Sequence, residues 1–328
     1  MKYKFNNIKS VVILGYSPFI EKILKVNKDF NIHTYIITSP DQKKKINKNI
    51  NFKVFNHLNK NFKNYISKNI DIKQTLFVSF SSRWIFKKNI INFLQNRLIN
   101  FHSSRLPFFK GGATFSWQIL SEDKIHNQSI HFISEKVDGG DIIDTNTSIF
   151  PYWCKIPLDY EKYDLQQLEI FYLNFIKKIK KNFVFNITKQ SKIFGTYFPR
   201  IYSKKDGWIN WNEETRKIYN FINSMDDPYD GARTTINKTI VKLKKIEIHK
   251  GNSISHSFAA GIVLKKYSEW IEINCSDGYS LLVKEILDNN NKNYFKKIKI
   301  GDRFVTPLSK LIDAKSFRTK FGVNGYSK

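Results

Sequence analysis

Asn100 and His102 stand two residues apart in the run Leu98-Ile99-Asn100-Phe101-His102, which reads as a short strand. Residues two apart on a strand project from the same face. A carboxamide and an imidazole aimed together can hold a carbonyl oxygen, since either donates to an oxyanion as it develops. A nearby carboxylate would tune the imidazole or take a proton itself. Asp138 is the candidate, in the turn Val137-Asp138-Gly139-Gly140-Asp141 that follows a second strand at residues 130–133. Each feature alone has a plain structural reading: Asn-x-His as a turn cap, Asp-Gly as an ordinary turn. As an ordered set they suit transfer of an acyl group to an amine.

The surrounding pattern must bring these groups together. Residues 10–15 (SVVILG) and 76–80 (LFVSF) are continuous apolar runs of the kind shown by buried parallel strands. Residues 32–38 read as a further strand and 52–55 as another, with a lysine-rich loop and helix over 40–51 between them. A helix starts near residue 18. After His102, Pro107 and the pair Gly111-Gly112 break regular structure, and a helix resumes near Thr114. Both candidate segments are expected to end at the carboxyl edge of an open α/β sheet, where such sheets place ligands. Residues 160–182 read as a long helix with Leu165, Leu168, Phe171, Tyr172 and Phe175 on its core face. Gly15 has no Gly-x-Gly-x-x-Gly context, which excludes a dinucleotide fingerprint. Past residue 206 comes a helix at 213–223, then short alternating strands separated by Gly and Asn turns, the pattern of a small β-barrel.

Asn100, His102, Ser104, Leu106, Pro107, Gly111, Asp138, Gly140 and Asp141 resemble the signature of the folate-dependent formyltransferases. That signature is Asn-x-His, then Ser-x-Leu-Pro-x-x-x-Gly, then Asp-x-Gly-Asp. The run Asp206-Gly207-Trp208-Ile209-Asn210-Trp211 and then Pro228-Tyr229-Asp230-Gly231-Ala232 resembles the junction of the two-domain members. The resemblance implies a Rossmann-like parallel-sheet α/β catalytic domain over residues 1–200 and an OB-like open β-barrel over 201–328. It implies 10-formyltetrahydrofolate as formyl donor, with no metal. Asn100 and His102 would hold the formyl oxygen, and Asp138 would pair with His102 and help deprotonate the acceptor amine. The loop after residue 80 would run along the pterin, which makes Phe80, Ser81, Arg83, Trp84 and Ile85, with Gly139 and Asp141, the expected folate contacts.

Two acceptors compete. Members that act on initiator tRNA carry a long basic insertion rich in Arg and Gly after the second strand, whereas residues 39–51 here contain Lys but neither Arg nor Gly. The run Gly111-Gly112-Ala113-Thr114-Phe115-Ser116-Trp117 resembles the members that formylate nucleotide-linked amino sugars for surface polysaccharides such as lipopolysaccharide O-antigen. A nucleotide-sugar acceptor needs cations for its diphosphate and rings for its base. The candidates are Ser104, Arg105, Lys110, Gly112, Trp208, Trp211 and Tyr229, with Arg83. The sugar members are commonly homodimers.

Composition bears on the alternatives. The 328 residues are 41% hydrophobic, enough for a sizeable core. The net charge of +27 would ordinarily point to nucleic acid or membrane surface. Here the excess is mostly Lys, spread along the chain among abundant Asn, Ile and Phe, as an A/T-rich coding sequence would produce. Cys154 and Cys275 stand far apart, so no disulfide framework or Cys-based metal site is expected, and no apolar run reaches the ~20 residues of a membrane span. The expected setting is the cytoplasm. A non-enzymatic alternative has the barrel holding single-stranded nucleic acid on Tyr267, Trp270 and Tyr279; it leaves Asn100, His102 and Asp138 without a purpose.

Overall fold

The computed structural model describes residues 1–327 except Lys192, Asn252 and Phe317. The apolar runs form a seven-stranded sheet built from β1 (Ser10–Gly15), β2 (His33–Thr38), β3 (Lys53–Val54), β4 (Thr75–Phe80), β5 (Leu98–His102), β6 (Ile125–Phe132) and β7 (Ile142–Ile149). Spatial order is β3-β2-β1-β4-β5-β6-β7. The first five strands are mutually parallel, while β6 runs antiparallel to β5 and to β7. The expected parallel sheet is therefore mixed. The strand expected at 130–133 is the end of the longer β6, and β7 was not anticipated, because the five consecutive polar residues of 144–148 in its sequence IIDTNTSI hide the strand pattern of a half-exposed edge.

Alternate residues of the central strands face opposite layers. Val11, Ile13, Leu76, Val78 and Phe101 pack against α1 (Ile20–Asp29) and the long helix α5 (Pro157–Lys180), through Ile23, Phe171, Tyr172 and Phe175. Val12, Leu14, Phe77 and Leu98 face the other way, onto α2 (Lys60–Asn69) and α3 (Lys88–Leu94). A short α4 (Thr114–Leu120) precedes β6. Pro157 opens α5, where its missing N–H costs nothing, and the Asp159 carboxylate accepts from the Ile156 N–H at 3.2 Å.

The second part is a curled antiparallel sheet of six strands: β8 (Ala232–Ile236), β9 (Thr239–His249), β10 (Val263–Lys266), β11 (Ile271–Asn274), β12 (Ser280–Asp288) and β13 (Phe304–Val305). Their order is β10-β11-β12-β9-β8-β13. Helix α6 (Thr215–Ser224) packs Ile218 and Ile222 into this sheet together with Trp211 and Met225. The two parts meet along α4 and α6, where the Ser116 hydroxyl donates to Ser224 O at 2.8 Å. Helix α7 (Leu308–Ser316) follows β13, and the chain then returns toward the first sheet. Among the described residues no helix is long and apolar enough to cross a membrane. Tyr267 and Trp270 stack on one another with ring centroids 3.9 Å apart.

Candidate active site

Parallel pairing of β4 with β5 sets Asn100 beside Ser79, and antiparallel pairing of β5 with β6 sets it opposite His131. Asn100, His102 and His131 thus share one face of the sheet, at the floor of a cleft of about 910 Å³. The loop after β6 does not continue away from the carboxyl edge of β5 as expected. Because β6 runs antiparallel, its end lies beside the start of β5, and residues 133–140 fold back across the face. Phe132 N–H donates to Asp141 O at 3.0 Å to close this turn. Gly140 packs so close to the Phe132 carbonyl that a Cβ would lie 1.7 Å from its oxygen. Asp138 adopts a left-handed φ of +48°, a region that Asp tolerates better than most residues, and so turns its carboxylate inward.

That carboxylate joins the set. Its Oδ2 accepts from Gly111 N–H at 2.9 Å and lies 3.8 Å from His102 Nε2, while Oδ1 lies 3.6 Å from His131 Nε2. Burial alone would raise the Asp138 pKa. The His102 and His131 rings, where protonated, and the Gly111 N–H outweigh it and hold the carboxyl well below the usual carboxylate range. His102 Nε2 is 3.0 Å from Phe109 O. A proton on Nε2 serves both that carbonyl and Asp138, which leaves Nδ1 as the basic nitrogen of the neutral ring. His131 Nδ1 meets Phe132 O at 2.8 Å, so its Nε2 accepts from the Asn100 amide at 3.1 Å. This pairing orients the carboxamide and leaves its second N–H to donate elsewhere.

Of the other expected contacts, Phe80, Ser81, Arg83, Trp84, Ile85, Gly112 and Tyr229 line the cleft. Ser81 has φ +46°, which turns the chain from β4 along the cleft wall. Trp84 is largely core, its indole N–H donating to Asn56 O at 3.3 Å, whereas Ile85 is exposed. Several expected contacts lie elsewhere. Ser104 is buried and its hydroxyl donates to Phe109 O at 2.6 Å, bracing the loop that holds His102. Arg105 pairs with Asp123 at 3.3 Å outside the cleft, and Lys110 is not part of its lining. Gly139 and Asp141 close the turn through their backbones. Trp208 and Trp211 are buried in the second domain, and the Trp211 indole donates to Thr234 Oγ1 at 2.9 Å. Tryptophan hydrophobicity drew both inward, where a base cannot stack on them.

The structure adds residues that sequence reasoning missed. His131 could have been noticed as an imidazole inside the apolar run Ile130-His131-Phe132-Ile133, but its partnership with Asn100 needs the β5–β6 register. Glu161 and Asp164 reach the cleft from α5, and Arg200 from the junction between the two sheets. A Cβ on Gly112 would lie 2.4 Å from Arg200 Cγ, so a larger residue there would push the Arg200 side chain aside. Arg200 keeps an exposed face toward solvent. Burial of the guanidinium and then the neighbouring Arg83 charge lower its pKa, offset by Tyr197, Tyr229 and Asp138. Burial also raises the Tyr229 phenol, partly offset by its hydrogen bond with Ser116. Among the described residues no cluster of three His, Cys, Asp or Glu stands ready to hold a metal.

Fold and site together define a two-domain α/β enzyme whose cleft carries an Asn-His-Asp constellation. The family described as formyl transferase matches residues 8–152, and the formyl transferase C-terminal domain matches residues 202–297. A methionyl-tRNA formyltransferase from Fusobacterium nucleatum is 30% identical over 228 residues, covering 67% of this chain and 71% of that protein. The chain belongs to the formyl transferase family. Among solved structures it is similar to an N-formyltransferase from Helicobacter canadensis in complex with folinic acid and dTDP-3-aminofucose. There the identity is 20% and the TM-score 0.64, over 84% of this chain and 99% of that one. It is also similar to WlaRD, a sugar 3N-formyl transferase determined with dTDP and 5-N-formyl-THF, at 21% identity and TM-score 0.61 over 85% and 98% of the two chains.

Proposed function

We propose that this enzyme moves the formyl group of 10-formyltetrahydrofolate to the amine of a nucleotide-linked amino sugar. The donor supplies the activated formyl group. The cleft fits it: the 81–86 loop offers backbone polar groups along one wall, and Leu165 and Leu168 of α5 with the exposed Ile85 supply apolar surface for a flat ring system. Asn100, fixed by His131, directs its remaining amide N–H to the formyl oxygen as negative charge develops. His102 takes the proton of the attacking amine, Asp138 stabilises the imidazolium that results, and the proton passes to N10 as the N10–formyl bond breaks and tetrahydrofolate leaves.

The observation that carries the acceptor assignment is the segment between β2 and β3. Its fourteen residues, 39–52, hold a tight turn at Lys43–Lys45 and contain neither Arg nor Gly. Gln42 donates to Ser81 O at 2.9 Å, and Asp41 accepts from Arg83 Nε at 2.8 Å, so the segment is fastened to the rim of the cleft. Arg83 and Arg200 beside it suit a diphosphate. The division into residues 1–200 and 201–328, a homodimeric assembly and a cytoplasmic setting belong to the same reading.

Methionyl-tRNA is the second reading, favoured by the 30% identical relative and by the +27 charge. The test is release of tetrahydrofolate from 10-formyltetrahydrofolate, run against dTDP-, UDP- and GDP-linked amino sugars and against charged initiator tRNA. Turnover with a sugar supports the proposal. Turnover with tRNA alone overturns it.

A further inference from the structure

Arg318, Thr319 and Lys320 line the same cleft, although they lie beyond residue 297, where the match to the C-terminal family domain ends. The chain reaches them after α7, and it is pinned at both ends of this passage. Thr319 is buried, and its hydroxyl donates to the Asp206 carboxylate at 3.4 Å, on the second domain. Four residues later Val323 O accepts from the backbone N–H of Asp41 at 3.3 Å, on the first domain, and the Val323 side chain packs against that domain's apolar layer. Asp41 is also the partner of Arg83. The terminal segment is therefore a strap laid from one domain to the other along the cleft wall.

The strap carries charge to a particular place. The Arg318 guanidinium lies over the Tyr197 ring, 5.8 Å from its centroid, and Tyr197 lines the cleft on the strand pairing that holds Lys110 and Gly111. Tyr197, Arg83 and Asp138 all act electrostatically on Arg200. Arg83, Arg200, Arg318 and Lys320 thus line one cleft, drawn from three distant parts of the sequence. Arg83 has Asp41 as its partner, and Glu135, Asp138, Glu161 and Asp164 line the same cleft, so the cations are set among carboxylates rather than massed; an anion bound on the strap side would meet Arg200, Arg318 and Lys320. Planar guanidinium forks match phosphate oxygens better than ammonium groups do.

We propose that the C-terminal strap is a substrate-binding element and that Arg318 acts with Arg200 on the diphosphate of the acceptor. This rests on the nucleotide-sugar reading above. Folate glutamate carboxylates share the same anionic chemistry, so the experiment must separate the two sources.

The full-length enzyme, Arg318→Ala and Arg318→Lys are compared by calorimetric titration with dTDP, UDP and GDP, and separately with folinic acid; the KM for acceptor and for donor is measured where turnover exists. Arg318→Ala is expected to weaken nucleoside diphosphate binding and raise the acceptor KM about tenfold, as loss of one charge-assisted phosphate contact does. Arg318→Lys should recover part of that loss. The donor KM and folinic acid affinity should stay unchanged, with kcat within about twofold, because the strap does not touch the reacting atoms. Diphosphate affinity unchanged in Arg318→Ala, a loss confined to folinic acid, or a wild-type enzyme that binds no nucleoside diphosphate would each overturn the inference. Absence of amino-sugar turnover by the wild-type enzyme counts against the acceptor reading alone, since the titration still decides the strap.

Discussion

Asp138 is the residue on which catalysis and loop order can be separated. Its carboxylate does two things: it faces His102 and His131 at 3.8 and 3.6 Å, and it accepts the Gly111 N–H at 2.9 Å. Asp138→Asn removes the charge but keeps an oxygen for Gly111, whereas Asp138→Ala removes both. The charge is what supports His102 as a base, and positioned proton transfer is worth roughly 10²–10⁴ in rate. Both variants should therefore lose at least about a hundredfold in kcat, read from tetrahydrofolate release in single turnovers. Stability should divide them. Asp138→Ala leaves the Gly111 N–H without its acceptor in a partly buried loop, so in urea unfolding it should cost about 1–3 kcal/mol more than Asp138→Asn, which loses the charge alone. An Asp138→Asn enzyme retaining wild-type kcat within about threefold would refute the role given to the carboxylate charge.

The same group fixes a pH dependence. Its folded pKa is depressed below the unfolded value of about 3.9, so its stabilisation is complete above that pH and is lost as pH falls through it toward the folded value. Acid unfolding of the wild type below pH ~4 should accordingly be steeper than that of Asp138→Asn. His131→Leu frees the Asn100 amide from its acceptor and should lower kcat by about tenfold or more with the donor KM little changed, since only oxyanion donation is disordered. Trp211→Ala should cost about 3–5 kcal/mol of stability, yet leave the KM of both substrates unchanged in the folded fraction, because the ring is core to the second domain. Gly140→Ala forces a Cβ against Phe132 O and displaces the turn that carries Asp138, so it should lower both melting temperature and kcat.

Much was legible in the one-dimensional pattern because it is local. Apolar runs at residues 10–15 and 76–80 became β1 and β4, the four-residue spacing of Asn100 to Ser104 held them on one strand and its loop, and the Asp138 turn announced itself by its glycines. Side-chain alternation on β5 put Asn100 and His102 on one face without any tertiary information. What stayed hidden depends on pairs distant in sequence. Nothing in β6 says that it will run antiparallel to β5, yet only that direction sets His131 opposite Asn100 and makes the following loop return over the sheet. Trp208 and Trp211 carry ring systems that suit a nucleotide base equally well and a hydrophobic core equally well; folding buried both, Trp211 in the core of the curled second sheet. Arg200 and Arg318 are separated from Arg83 by more than a hundred residues, and neither has a local motif. Residue identity and short spacing therefore determined the chemistry available to this protein. Strand direction, register and the closing of the terminal strap decided which of those groups share a cleft, because the interactions that select them form only after distant segments have packed.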